Sequence, residues 1–223
     1  MKHARNLVQL AVGLYMLVYL GIICRENMQL EGFWYYLFLG TFEAAVIHYA
    51  VAKIIGPLFF GRGWCGYACW TAMVLDLLPW KTPARPRKPW GFVRYLVFGL
   101  SLGFVGALFA LGAPDLEKIM LRSFLAGNLL YYAAGIALAF WLGDNRAFCK
   151  YLCPITVFLK PASYFSLLRI KNDPNRCVSC GKCRRVCPMD VDMTDNARSR
   201  ENGTECILCM SCIAACPKQS LSI

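Results

Sequence analysis

Cys177-Val-Ser-Cys180-Gly-Lys-Cys183-Arg-Arg-Val-Cys187-Pro188 returns at an offset of 29 as Cys206-Ile-Leu-Cys209-Met-Ser-Cys212-Ile-Ala-Ala-Cys216-Pro217, a doubled C-x2-C-x2-C-x3-C-P pattern. Three thiolates two residues apart wrap three corners of one Fe4S4 cube, and the fourth cysteine, followed by proline, points to the other cube. The spacing predicts one [4Fe-4S] cluster on Cys177, Cys180, Cys183 and Cys216 and a second on Cys206, Cys209, Cys212 and Cys187. Zinc takes four ligands per site at looser spacing, and a disulfide framework needs an oxidising compartment.

What precedes this module decides its setting. Of 223 residues, 58% are hydrophobic and 17% charged, against about 25% charged in soluble proteins. The apolar excess lies in residues 7–24, 33–55, 92–113 and 124–142, each close to the roughly 20 residues that a spanning helix needs. The predicted fold class is membrane α-helical: four transmembrane helices in two tandem repeats over residues 1–168, then a small α+β ferredoxin-like domain over 169–223. Lys2, His3 and Arg5 form a basic start, but no small-x-small cleavage site follows, so the first span reads as an uncleaved helix. Cys24, at its far end, reads as a small apolar packing residue.

Basic residues flanking the spans set the orientation. Lys2, Arg5, Arg62, Lys81, Arg85, Arg87, Lys88 and Arg94 fall on one side, and only Arg25, Lys118 and Arg122 on the other. The positive-inside bias predicts a multi-pass protein of the cytoplasmic (inner) membrane with both termini cytoplasmic, where thiols stay reduced. The net charge of +11 is concentrated in Lys81-Thr-Pro-Ala-Arg-Pro-Arg-Lys88 and at helix ends, which suits anionic lipid headgroups rather than nucleic acid.

The membrane part carries a weaker repeat. Arg62-Gly-Trp-Cys65-Gly-Tyr-Ala-Cys69-Trp70 follows the second span, and Arg146-Ala-Phe-Cys149-Lys-Tyr-Leu-Cys153-Pro154 follows the fourth, at an offset of 84. Two helices plus a C-x3-C motif form the unit, and the two motifs are expected to meet at the cytoplasmic boundary. Cys65, Cys69, Cys149 and Cys153 are the ligand number of one further iron–sulfur cluster; the competing readings are a soft-metal (copper) site or redox-active thiol pairs. Pro154 predicts a turn at Cys153, whereas Trp70 leaves the first helix free to continue. Arg62 and Arg146 either offset negative charge at this site or anchor helix ends at the headgroups.

Glu43, His48 and Lys53 fall inside the second predicted span, where ionisable groups are costly. Glu43 and His48 are candidates to take protons from a quinol, with an interhelical hydrogen bond as the bland alternative; Lys53 reads as snorkelling to the interface. Haem is not expected, because His3 and His48 are the only histidines.

Two C-x3-C motifs after paired spans, the second ending in Cys153-Pro154, followed by the eight-cysteine module, resemble the membrane iron–sulfur subunit of periplasmic nitrate reductase systems, the NapH type. The resemblance implies an electron-transfer subunit of quinol dehydrogenase type, handing electrons to an iron–sulfur or haem partner. The core is also similar to parts of a membrane regulator of nitrous oxide reduction and of a copper-reducing assembly protein of cytochrome oxidases, so a metal-reducing assembly factor and a redox-sensing regulator stand as alternatives. Trp70 departs from the proline usual in the family.

Overall fold

The computed structural model describes residues 4–223; Lys2 and His3, part of the predicted basic start, lie outside the described residues. The chain is mostly helical. Helix α1 spans Ala4–Ile23, α2 Leu30–Leu39, α3 Ala44–Phe60, α6 Trp90–Ala110 and α7 Leu116–Leu142. Short helices α4 (Gly63–Tyr67), α5 (Trp70–Leu75), α8 (Ala147–Tyr151) and α9 (Thr156–Tyr164) carry and follow the C-x3-C motifs. Helices α1, α6 and α7 are each long and apolar enough to cross a membrane, which makes this a multi-pass membrane protein.

The second predicted span is not one helix. Helices α2 and α3 meet at a bend of 117°, because Gly40 closes α2 in the left-handed conformation (φ 71°) and Glu43 starts α3 from extended backbone. Gly40 N–H donates to Leu37 O and Thr41 N–H to Tyr36 O, the pattern of a glycine-terminated helix. Among the described residues there are therefore three single spans, and a fourth only if the bent pair counts as one. The last long helix also starts eight residues before the predicted 124: Asp115 precedes it and Glu117 lies in its first turn, charges that dilute the local hydropathy but suit a helix N-terminus.

Contacts order the two ends of the bundle. Arg5 donates to Gly66 O (3.0 Å) and to Asp76 Oδ2 (2.9 Å), so α1 begins beside the first C-x3-C motif. Its other end leads to Asn27, whose amide donates to Met120 O (3.0 Å) and Ser123 Oγ (3.1 Å) near the start of α7. Helix α5 packs between α1 and α7. Helix α9 packs against α3, with Phe158 edge-on to Phe33, Tyr49 and Phe98.

The C-terminal module is closed by two short antiparallel strands, β1 (Lys171–Asn172) and β2 (Leu221–Ser222), with Lys171 opposite Ser222 and Asn172 opposite Leu221. Helices α10 (Lys182–Arg185) and α11 (Ser211–Ala215) complete it. Its apolar core does not end at residue 168: Cys65, Cys149 and Leu159 pack in one cluster with Ile170, Cys187, Met189, Ile207, Leu208 and Leu221. Gly66 permits this approach, since a methyl group there would collide with Ile207 O. Gly66→Ala is expected to cost about 1–3 kcal/mol, the range for overpacking a filled interior, measured by thermal unfolding. Gly99→Ala, whose added Cβ meets nothing within 4 Å, serves as the neutral control.

Candidate cysteine-cluster sites

The doubled motif folds as two matching loops. Ser179 and Leu208, Gly181 and Met210, and Asp190 and Gln219 are pairs at the same offset of 29, and all six take positive φ. Left-handed backbone costs a non-glycine residue about 1–2 kcal/mol, so its use at matched positions marks a demanded geometry. Alternating handedness turns successive N–H groups inward into a concave anion cradle of the kind that holds iron–sulfur groups. Only Gly181 signalled this in the sequence.

Each predicted set of four cysteines lines one cavity. An outer cavity is lined by Cys177, Cys180, Cys183 and Cys216, and an inner one by Cys187, Cys206, Cys209 and Cys212 with Ile170, Met189 and Ile207. The two differ in environment. The backbone N–H of Ser179 and the side-chain amide of Asn172 hold Cys177 below the usual thiol range, and Ser220 does the same for Cys216. In the inner set burial dominates, pushing Cys187 up to about 11 and Cys212 up to about 12.

The two C-x3-C motifs meet through reciprocal braces. Arg62 donates to Cys149 O (3.4 Å) and Arg146 to Cys65 O (3.0 Å), so each repeat's arginine grips the other repeat's first cysteine. Both arginines are buried, at 0% and 1% exposure, which removes the headgroup-anchor reading. Contrary to the expectation from Trp70, both helices break at the same place: α4 ends at Tyr67 and α8 at Tyr151. Cys69 takes extended backbone (ψ 119°) and caps α5. Trp70 instead anchors that helix by donating Nε1–H to Asn128 Oδ1 at 2.8 Å.

Electrostatics separate these four thiols. Burial alone would raise Cys65, but Arg62, Lys53 and Arg146 outweigh it and hold it below the usual value. Burial raises Cys69, pushes Cys149 up to about 11 and Cys153 up to about 12, with the neighbouring thiols adding to each. Among the described residues no three His, Cys, Asp or Glu side chains converge on a single-ion position. Buried donors without a partner surround the site: Trp64 Nε1–H, Tyr49 O–H, Arg62 Nε–H and Arg146 Nε–H. Buried donors are rarely left unmet, and the sulfurs of a cluster accept such hydrogen bonds.

The strongest polar feature escaped sequence reading. Glu205, immediately before Cys206 and 1% exposed, is ion-paired with Arg62, with Arg87 (3.1 Å), Arg94 (3.1 Å) and Lys160 (3.5 Å). Asp190, three residues after Cys187, is held at 2.6 Å by buried Lys150, which also binds Asp144 at 2.7 Å. Tyr67 O–H donates to Leu208 O at 3.0 Å. The inner-cavity loops are thus clamped onto the C-x3-C motifs. Arg87 and Arg94, expected at lipid headgroups, turn inward instead; Lys88 lies over the Trp90 ring at 4.3 Å.

The remaining predicted residues are dispersed. Glu43 is exposed in the turn between α2 and α3 rather than within a span. His48 sits with its ring edge-on to both Tyr49 and Trp64, 5.9 Å away in each case, and its Nε2 is buried without a partner. Lys53 does not snorkel: it is 5% exposed and faces the Trp64 ring at 5.9 Å, beside the thiols. Cys24 is exposed at the end of α1 rather than packed.

Comparison with known proteins adds two family matches. A 4Fe-4S dicluster domain matches residues 169–217, and a 4Fe-4S binding domain matches twice, over residues 45–89 and 127–172. Among relatives, the uncharacterized protein MJ0749 of Methanocaldococcus jannaschii is 26% identical over 90% of this chain and 80% of its own length. YccM of Escherichia coli, provisionally named an electron transport protein, is 34% identical over 82% of this chain and 56% of its own. The methylamine utilization ferredoxin-type protein MauN of Paracoccus denitrificans is 30% identical over 61% and 53%. The chain thus spans about half the length of these two named relatives. No solved structure matches significantly.

Proposed function

We propose, starting from the membrane-type ferredoxin with an electron-transfer role that these matches indicate, that the chain is a NapH-type subunit passing electrons between the quinone pool and a partner redox protein. Cys177, Cys180, Cys183 and Cys216 would hold one [4Fe-4S] cluster, Cys206, Cys209, Cys212 and Cys187 a second, and Cys65, Cys69, Cys149 and Cys153 a third. Such clusters supply one-electron carriers whose potentials respond to nearby charge and hydrogen bonds.

The observation that carries this reading is the packing of Ile207 and Leu208, between Cys206 and Cys209, directly against Cys65, Gly66 and Tyr67. Cys65 and Cys149 share one apolar cluster with Cys187, Cys212 and Ile207 of the inner cavity. Around those thiols Lys53, Arg62 and Arg146 supply positive charge that favours an anionic thiolate set, and the unmet donors of Trp64 and Tyr49 supply hydrogen bonds. His48, beside Trp64, and Glu43, at the exposed turn, are the proton-handling residues of the proposal. The repeated match of one domain over residues 45–89 and 127–172 supports a tandem origin for the two membrane halves, followed by a unit over 169–223. The basic bias of the end holding Arg5, Arg85 and Lys88 supports an inner-membrane location with that end cytoplasmic.

The test is anaerobic addition of a reduced quinol to the full chain in lipid nanodiscs. Bleaching of the iron–sulfur absorbance, slowed in His48→Ala, is expected. Bleaching by dithionite but not by quinol would remove the quinone from the proposal, and stoichiometric copper on the C-x3-C thiols would favour a metal-reducing assembly factor instead.

A further inference from the structure

The two ferredoxin-like cavities differ in what backs them. Beside the inner one, Glu205, Asp190 and Leu208 are bonded to residues of the membrane half. The outer one is lined entirely by residues 172–221, and among the described residues none of its lining residues shares a side-chain hydrogen bond or ion pair with the chain before residue 169. Cys180 there is exposed to solvent. Its rim carries an unbalanced charge. Lys182 and Lys218 line the cavity itself, and Arg185 Nη1 lies 3.4 Å from where a Cβ on Gly181 would stand. These three and Lys171 are exposed, and among the described residues none has an acidic partner within ion-pairing distance. Arg176 and Arg184, by contrast, are matched by Asp173 and Glu201. In residues 169–187 and 216–223, Asp173 is the sole acidic side chain, and Asp192 and Asp195 flank the lining residues Met193 and Thr194.

Arg62, Arg87, Arg94, Arg146 and Lys150, turned inward, are each given a carboxylate, which the four exposed rim cations lack.

We infer that the rim of Lys171, Lys182, Arg185 and Lys218 around the outer cavity docks the acidic face of a soluble one-electron carrier protein, making this the port between the chain and its soluble partner. The inference rests on the proposed ligation by Cys177, Cys180, Cys183 and Cys216. Complementary charge raises encounter rates and fixes orientation, and its effect fades with salt. An acidic carrier would meet the exposed thiol edge at Cys180.

The test uses the full chain in nanodiscs of zwitterionic lipid, with fluorescently labelled flavodoxin as an acidic probe and cytochrome c as a basic one. Wild type is expected to bind flavodoxin at low salt, to lose affinity by about tenfold or more on raising salt to physiological strength, and to ignore cytochrome c. The K182E/R185E/K218E variant should lose flavodoxin binding by a similar factor and gain cytochrome c binding, with iron content unchanged. Equal flavodoxin binding by wild type and variant, both retaining iron, overturns the docking inference. A variant defect seen only on vesicles of anionic lipid assigns the rim to the membrane and likewise overturns it. Wild-type protein that holds no iron when prepared anaerobically overturns the ligation reading instead.

Discussion

Replacing Glu205 by glutamine will detach the C-terminal module from the membrane helices and lower the stability of the junction by about 3–5 kcal/mol, the cost of removing one partner from a buried ion pair. The magnitude follows from the surroundings: Arg62 and Arg94 are 0% and 1% exposed, and without the carboxylate they face each other and Arg87 with no anion to replace it. Glutamine keeps the size and two hydrogen-bonding ends but not the charge. Hydrogen exchange of residues 206–209 should accelerate strongly while residues 177–183, in the outer loop, change little. Glu205→Asp, shorter but charged, should recover part of the loss. Unchanged exchange at 206–209 in Glu205→Gln would show that apolar packing alone holds the junction.

The second large effect concerns iron. Anaerobically purified wild type is expected to hold roughly twelve irons and as many acid-labile sulfides, and the Cys65→Ser, Cys149→Ser double variant roughly eight. These two cysteines are the most buried of the four upstream thiols, and their carbonyls are the ones gripped by Arg146 and Arg62. Serine preserves the side-chain size, so the braces should survive while two ligands are lost. Full retention of iron in the double variant would end the case for a third cluster, whatever the state of the other two.

How much of this was readable in advance depended on the range of each interaction. The doubled cysteine pattern and the first and third spans are local in sequence, and local spacing and hydropathy found them. The break at Gly40 was missed because hydropathy averages over a window, and one left-handed glycine between apolar residues hardly changes the mean. Residues 116–123 were missed for the opposite reason, since Glu117, Lys118 and Arg122 lowered the window at a true helix start. Arg62 and Arg146 were visible as a repeated feature, but which of their two roles held could be decided only by burial. Glu205 carried no signal at all: its partners come from residues 62, 87, 94 and 160, and no single-chain pattern announces a contact over such separations. Lys53 was misjudged because snorkelling assumes water at hand, whereas Trp64 and the thiols close over it.

The order of synthesis gives the clamp around Glu205 a further meaning. All four of its cationic partners leave the ribosome before it does, and so do Gly66 and Tyr67, which receive Ile207 and Leu208. The positively charged berth is therefore complete in sequence before the segment that fills it emerges. By the same order the proposed inner ligand set is complete at Cys212, whereas the proposed outer set waits for Cys216.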